Sequence, residues 1–158
     1  MNAVSQGLRT GLLAAALATA LAAALATFTS AAEAAEIGQI KVAKGQVSVE
    51  RKGESIAASV GLRLEAADVV KTGADGAVGI TMSDNSLLSA GPNSILSLAQ
   101  FEFDPTTSQG RFDAQLQRGT LSVVSGRIAK QSPQAMTVRT PSAVLAVRGT
   151  EFVVSAHE

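Results

Sequence analysis

The sequence predicts an all-β protein, an antiparallel β-sandwich or roll of short strands, preceded by a helical signal peptide. Two features of the region after residue 35 support this prediction. Short apolar runs, or alternations of apolar and polar residues, are separated by turn residues every eight to twelve positions. In addition, that region has no sustained period of about 3.6 residues, which would indicate helices. Strands of ordinary length would then number about nine to twelve.

Residues 1–35 have the three parts of a secretory signal peptide. Arg9 supplies the positive charge, residues 11–28 form an apolar stretch rich in Ala and Leu, and Ala32-Glu33-Ala34 matches an A-x-A cleavage site. The apolar stretch is long enough for a membrane-spanning helix, so a retained membrane anchor is the alternative. Small residues around Ala34 favour cleavage. We therefore predict a periplasmic or secreted protein, which contacts a membrane only if the signal stays uncleaved.

Residues 36–158 are predicted to form one domain, because no linker divides them and their number suffices for a core. The chain has 13 basic and 13 acidic residues, so its net charge of zero gives no electrostatic attraction to nucleic acid or anionic membranes. It contains no Trp and no Tyr, the side chains on which sugars and bases usually stack. We therefore expect neither a carbohydrate-binding nor a nucleic-acid-binding protein.

The sequence offers no candidate catalytic or metal-binding residues. Its single histidine, His157, is next to the C-terminus, and it has no cysteine, so Ser-His-Asp, Cys-His and His/Cys metal sites all lack members. The glycine-rich segment 73–79 lacks the Lys-Ser/Thr pair and the following helix of a phosphate-binding loop. We therefore expect a protein that is not an enzyme and uses no cofactor; the sequence does not indicate any ligand-binding residue.

Each predicted strand has its own support in the sequence. Alternating apolar residues predict two strands within 40–49, divided at Lys44-Gly45. Other apolar or β-branched segments predict later strands at 54–58, 68–72, 77–82, 87–90, 95–103, 112–124, 136–140, 143–147 and 151–155. Gly119 interrupts the longest of these segments. The run 143–147 is apolar at every position, which is typical of a strand covered on both faces.

The predicted turns and loops are rich in Gly, Asn, Asp and Pro. Gly73-Ala74-Asp75-Gly76 is predicted to be a hairpin turn, because glycine accepts a positive φ. Ser83-Asp84-Asn85-Ser86 and Gly91-Pro92-Asn93 are two further turns, the first helped by the tolerance of Asn for positive φ. Residues 104–110 form the longest predicted loop, and residues 131–134 form a second one.

Two parts of the chain carry linked motifs. Residues 64–98 contain L-E-A-A-D-V-V-K-T-G, then Asp84-Asn85-Ser86, then Pro92-Asn93-Ser94. Residues 119–126 read G-T-L-S-V-V-S-G, and residues 138–154 include Thr140-Pro141 and Arg148-Gly149-Thr150. In this order and spacing the motifs resemble the FecR periplasmic domain family, whose pattern is L-x-x-G-D-x-V-x-T-G, a DGS-like turn and a P-x-S repeat. Ala67 stands where that pattern has glycine.

The resemblance implies a periplasmic sensing or interaction module in cell-envelope signalling, with a link to iron-uptake regulation. The alternative is a structural envelope scaffold, or a self-associating β module, without a sensory role. Each role implies an unknown protein partner or ligand in the cell envelope. Genes for a sigma factor or an outer-membrane receptor beside this one would favour signalling.

The residues at the family's motif positions are interpreted as structural: Asp68, Thr72, Gly73, Asp84, Thr140, Pro141, Arg148, Gly149 and Thr150. A charged residue beside apolar strands needs a partner, so we expect Arg148 to pair with Asp68 or Asp84. The functional alternative is that Arg148 binds a carboxylate of a ligand or protein partner.

The strand at 151–155 is expected to be a sheet edge, because FecR-like domains continue past this segment into further strands. Phe152, Val153 and Val154 give it apolar side chains on both faces, so an exposed edge would invite pairing. Its partner would be a second copy, giving an edge-strand homodimer, or a strand donated by another envelope protein. Alternatively, the N-terminal strand at 37–43 covers the edge within one chain.

The predicted cleavage has a direct test. We expect intact-mass analysis of the exported protein to find a chain that begins at Ala35, since the A-x-A site ends at Ala34. A mass that still includes Met1 or Arg9 would support the retained membrane anchor instead.

Overall fold

The computed structural model describes residues 35–147 and 151–157, and the signal peptide predicted for residues 1–35 lies outside them except for Ala35. Twelve strands and one helix follow one another in the described ranges: β1 (Glu36–Lys44), β2 (Val47–Arg51), β3 (Glu54–Ala57), β4 (Arg63–Glu65), β5 (Val69–Thr72), β6 (Ala77–Met82), β7 (Leu87–Ala90), β8 (Ile95–Phe103), β9 (Gly110–Val124), α1 (Arg127–Gln131), β10 (Met136–Arg139), β11 (Val144–Ala146) and β12 (Glu151–Ala156). The all-β prediction is therefore confirmed. No helix within these residues has the length and apolar character needed to span a membrane.

The strands form one continuous curled sheet with two halves. Half A has the strand order β4-β1-β6-β7-β9-β12, and half B has the order β3-β2-β5-β8-β9-β10-β11, so that β9 belongs to both. All neighbouring strands are antiparallel except β9 and β10, which run parallel. The predicted antiparallel roll is confirmed, with one parallel pair in addition. Strand β1 lies between β4 and β6, so it does not cover β12, whose paired neighbour is β9.

Strand β9 connects the halves because it changes neighbours along its length. Its first part lies between β8 and β10, and its last part, residues 119–124, lies between β7 and β12. Gly119 is at the junction with a φ of 94°, and a Cβ there would lie 2.5 Å from the Ser94 Cα. Glycine thus does not end a strand at this position. It allows a strand of 15 residues to pass from half B into half A.

The core lies inside the curl and is formed by the inward-facing side chains of both halves. Phe101 and Phe112 meet edge to face in half B, with 5.5 Å between their ring centres. The fully buried side chains include Ile40, Leu64, Leu88 and Leu121 from half A, and Val49, Leu96, Leu116 and Met136 from half B. Helix α1 adds buried Ile128 to the core. The sequence analysis predicted no helix here, since five residues are too few to show a helical period.

The turn Gly73-Ala74-Asp75-Gly76 is present, but it does not join a hairpin as predicted. Strand β5 before it lies in half B and β6 after it lies in half A, so the two strands do not pair. Neither glycine has a positive φ. Gly76 is required for a different reason, because a Cβ there would clash with the Gln46 carbonyl oxygen. The turn carries the chain from one half of the sheet to the other.

The apolar run 143–147 is not a strand covered on both faces, so this prediction was wrong. Only Val144–Ala146 form β11, which pairs with β10 at the end of half B. The Val144 side chain is 68% exposed. The run looks like an interior strand in the sequence, but the strand order places it at an edge, where one side has no neighbour.

Ala67 adopts a left-handed backbone conformation, with a φ of 70°. This is the position at which the family pattern has glycine. The conformation brings the Ala67 amide within 2.8 Å of the Leu98 carbonyl oxygen, to which it donates a hydrogen bond. A residue with a Cβ loses roughly 1–2 kcal/mol in this region, so the alanine is strained.

We expect Ala67→Gly to raise the free energy of unfolding by about 1 kcal/mol, since removal of the Cβ relieves this strain. Ala57→Gly is the matched control at an exposed position of β3 without a positive φ. That change should lower the free energy of unfolding by about 0.5–1 kcal/mol. Urea unfolding followed by circular dichroism measures both values. If both variants are destabilised, Ala67 is not strained.

Candidate functional site

The motif residues predicted from the sequence lie at four separate places in the fold. Asp68, Thr72 with Gly73, Asp84, and Thr140 with Pro141 each hold a turn or a loop, as described below. Arg148, Gly149 and Thr150 lie outside the described residues, and so does the predicted pairing of Arg148.

Asp68 is buried and forms a bidentate ion pair with Arg51 of β2. The Arg51 Nε donates to Oδ1 at 2.9 Å, and Nη2 donates to Oδ2 at 2.7 Å. Oδ2 also accepts the Glu65 amide at 2.9 Å, and Arg51 Nη1 lies 2.8 Å from the Glu65 carboxylate. The hydrogen bond to Asp68 raises the pKa of Arg51 above its ordinary value. This cluster fastens the loop between β4 and β5 to β2, and thus half A to half B.

Asp84 is also buried and ties the β6–β7 turn to the start of α1. Its Oδ1 accepts the Ser86 amide at 3.0 Å, and its Oδ2 accepts the Ser86 hydroxyl at 2.8 Å. The Ser86 Oγ in turn accepts the Gly126 amide at 2.9 Å, and the Asp84 carbonyl accepts the Arg127 amide at 2.8 Å. Asn85 has a φ of 66°, which confirms the positive φ predicted for this turn.

Thr72 and Gly73 hold the turn that precedes β8. The Thr72 Oγ1 donates to the Gly91 carbonyl at 2.7 Å and accepts the Ser94 amide at 2.8 Å. The Gly73 carbonyl accepts the Asn93 amide at 2.9 Å. Because the Ser94 Oγ accepts the amide of Thr120 at 3.1 Å, this cluster extends to the bend in β9.

Thr140 and Pro141 lie in an exposed turn that joins β10 to β11. The Thr140 amide donates to the Ala143 carbonyl at 2.8 Å, and the Ala143 amide donates to the Thr140 Oγ1 at 3.0 Å. Pro141 follows at the second position of the turn, where its fixed φ is favourable. The pair therefore closes a turn, and it contacts no other motif residue that the structure describes through a side-chain hydrogen bond.

Polar chemistry elsewhere in the described part of the chain is sparse. Within it, no group of three or more His, Cys, Asp or Glu side chains is placed to hold a metal ion. The Asp113 Oδ2 lies 2.6 Å from Arg139 Nη2, while its Oδ1 is buried without a described partner. An open depression beside α1 has only uncharged lining residues among those described, namely Gln131, Ser132, Pro133, Gln134 and Ala146.

The two outer faces of the sheet differ in charge. On half B, the outer face carries the ion pairs of Glu50 with Lys71 and of Asp113 with Arg139. On half A, the outward-facing residues of β6, β7 and the end of β9 include no charged residue: Ala77, Gly79, Thr81, Leu87, Ser89, Thr120, Ser122 and Val124. We call these eight residues the neutral face. Each strand shows its part of the pattern in the sequence, but only the strand order shows that the parts are neighbours.

A sequence model of the FecR protein family matches residues 68–158, which is more than half of the chain. The chain belongs to the FecR family. This confirms the resemblance that its motifs indicate, and it makes the protein a signalling-related module of a regulatory family. Comparison with curated proteins and with solved structures finds no significant match.

The FecR match begins at Asp68 and includes every strand of the neutral face. Arg51, the partner of Asp68, precedes the matched segment. Sequence reasoning missed it because Arg51 lies 17 positions before Asp68 and meets it only through the pairing of β2 with β5. The first residue of the FecR segment is therefore held by a residue outside that segment.

We expect Arg51→Ala to lower the free energy of unfolding by about 3–5 kcal/mol, because it leaves the buried Asp68 carboxylate without its cation. Arg63→Ala is the matched control: its ion pair with Glu36 is 3.3 Å long, with side chains 73% and 41% exposed. Such exposed pairs contribute about 0–1 kcal/mol. Urea unfolding followed by circular dichroism suits a chain without Trp and Tyr. Equal losses in the two variants would contradict the structural role of Arg51.

Proposed function

We propose that this chain is a periplasmic recognition module that binds a protein partner in cell-envelope signalling. The observation that carries the proposal is the FecR match over residues 68–158, because FecR is a family of signalling regulators. The periplasmic location rests on the signal peptide predicted for residues 1–35. The link to iron-uptake regulation rests on family resemblance.

The neutral face supports recognition of a protein. Its three strands have a neighbour on each side, so the surface is held in place by main-chain hydrogen bonds. Small hydroxyl and apolar side chains cover it, and Leu87 near its middle is exposed. Depletion of charge is the property that distinguishes the centre of a protein interface from other surface. No ionic group of these strands would have to lose its water when a partner binds there.

The second candidate function is an envelope scaffold or self-associating β module without a sensory role. The observation that favours it is the unpaired edge of β12. The two functions differ in their consequence for transcription. Deletion of the gene should change transcription of the regulated genes if the protein signals, and iron-uptake genes are the ones to measure first. Unchanged transcription together with a weakened envelope would favour the scaffold.

The proposed binding surface is tested with two lysine variants. Ser89→Lys introduces a charge into the neutral face, and Gln115→Lys introduces the same charge on the outer face of half B; both side chains are exposed. A protein captured from envelope extracts by the full chain is identified, purified and titrated with each variant.

We expect Ser89→Lys to raise the dissociation constant at least tenfold, because binding would bury an unpaired ammonium group, whereas Gln115→Lys binds like the parent. Thermal unfolding shows whether both variants stay folded. Equal affinity of all three proteins, or equal loss in both variants, would overturn the proposed surface.

A further inference from the structure

Four strands have a neighbour on one side only among the described residues: β3, β4, β11 and β12. The first three are only three or four residues long, and β4 is flanked by the charged residues Arg63 and Glu65. Short length and charge both protect a sheet edge against further pairing. Strand β12 has six residues, continuous register with β9 and one charged residue, Glu151. It is therefore the least protected edge.

The direction of hydrogen bonding in β12 follows from its partner strand. The carbonyl of Thr120 in β9 accepts the Gly91 amide at 3.0 Å, on the side of β7. The main-chain groups of successive residues point to opposite sides of an antiparallel strand. Leu121 and Val123 therefore direct their main-chain groups to β12.

The free edge of β12 consists of alternate residues. Phe152 and Val154 are opposite Val123 and Leu121, so their main-chain groups bond to β9. The residues between them, Glu151, Val153 and Ser155, then direct their N–H and C=O groups away from β9. Within the described chain no strand meets these groups.

We propose that a second copy of this chain pairs with the free edge, so that the two β12 strands run antiparallel about a two-fold axis at Val153. In this register Val153 is opposite the partner copy's Val153, and Glu151 is opposite the partner copy's Ser155. On the other face of the strand, Phe152 is opposite the partner copy's Val154. Main-chain hydrogen bonds then continue half A from one copy into the other.

Charge and apolar burial both favour a second copy in this register. Glu151 meets a hydroxyl group, whereas an axis at Glu151 would set two carboxylates opposite each other. The net charge of zero means that two copies do not repel each other overall. Val153 is 65% exposed, and Phe152 and Val154 are only partly buried, so pairing covers apolar side chains on both faces.

This inference does not depend on the proposed function, because it uses the edge of β12 and not the neutral face. Pairing would place the neutral faces of two copies side by side on one sheet. Loss of the dimer with retained partner binding, or the reverse, distinguishes the two proposals.

The oligomeric state is measured by size-exclusion chromatography with light scattering on the full chain, over a range of concentrations. We expect twice the monomer mass at the higher concentrations. Val153→Lys should raise the dimer dissociation constant at least tenfold, because the axis sets the two ammonium groups opposite each other. Val144→Lys is the matched control at a valine that is 68% exposed on the edge strand β11, and it should leave the dimer intact. A monomer at every concentration, or equal dissociation by both variants, would overturn the proposal.

Cysteine crosslinking tests the register, and the chain has no cysteine of its own. In Val153→Cys the two opposed Cα atoms would be about 5.5 Å apart, within the range of a disulfide. In Ser155→Cys the new residues would lie four positions out of register, roughly 13 Å apart. Under oxidising conditions we expect a covalent dimer for Val153→Cys and little or none for Ser155→Cys. Equal crosslinking, or a Val153→Cys product with a different protein only, would contradict this dimer.

Discussion

The bend of β9 at Gly119 is the constraint on which the rest of this fold depends. One strand supplies hydrogen-bonding neighbours to both halves of the sheet, so the core closes only if β9 passes from one half into the other. The left-handed φ of Gly119 and the nearness of Ser94 leave no room for a Cβ. Ser94 is itself held by Thr72, which lies in the FecR motif. A motif position far from the bend in sequence thus helps to fix it.

The buried carboxylates act at the other connections of the sheet. Asp68 joins the β4–β5 loop to β2 through Arg51, and Asp84 joins the β6–β7 turn to α1 through Ser86 and main-chain amides. Buried ion pairs add little net stability compared with apolar contacts, but each requires one particular arrangement of its partners. In this chain they set the position of turns. The motif that identifies the family therefore describes how the domain is folded, and the surfaces available to a partner are elsewhere.

The curl of the sheet also divides its outer surface by charge. Half B carries ion pairs on its outer face, as Glu50 with Lys71 shows, whereas half A has the neutral face and, beside it, the free edge of β12. Both proposed contacts therefore lie on one half of the molecule. A partner on the neutral face and a second copy at β12 would occupy neighbouring but different surfaces.

Local patterns in the sequence determined the all-β class, the strand at 77–82 and the turn with positive φ at Asn85, because alternation and turn chemistry depend only on nearby residues. The motifs likewise identified the family. The tertiary structure alone decided which strands are neighbours, and everything that follows from that order was missed. It joined Arg51 to Asp68, separated β5 from β6 at a turn that looks like a hairpin, and exposed the apolar run that contains Val144. Contacts between distant parts of a chain arise only when the sheet closes, and no local pattern records them.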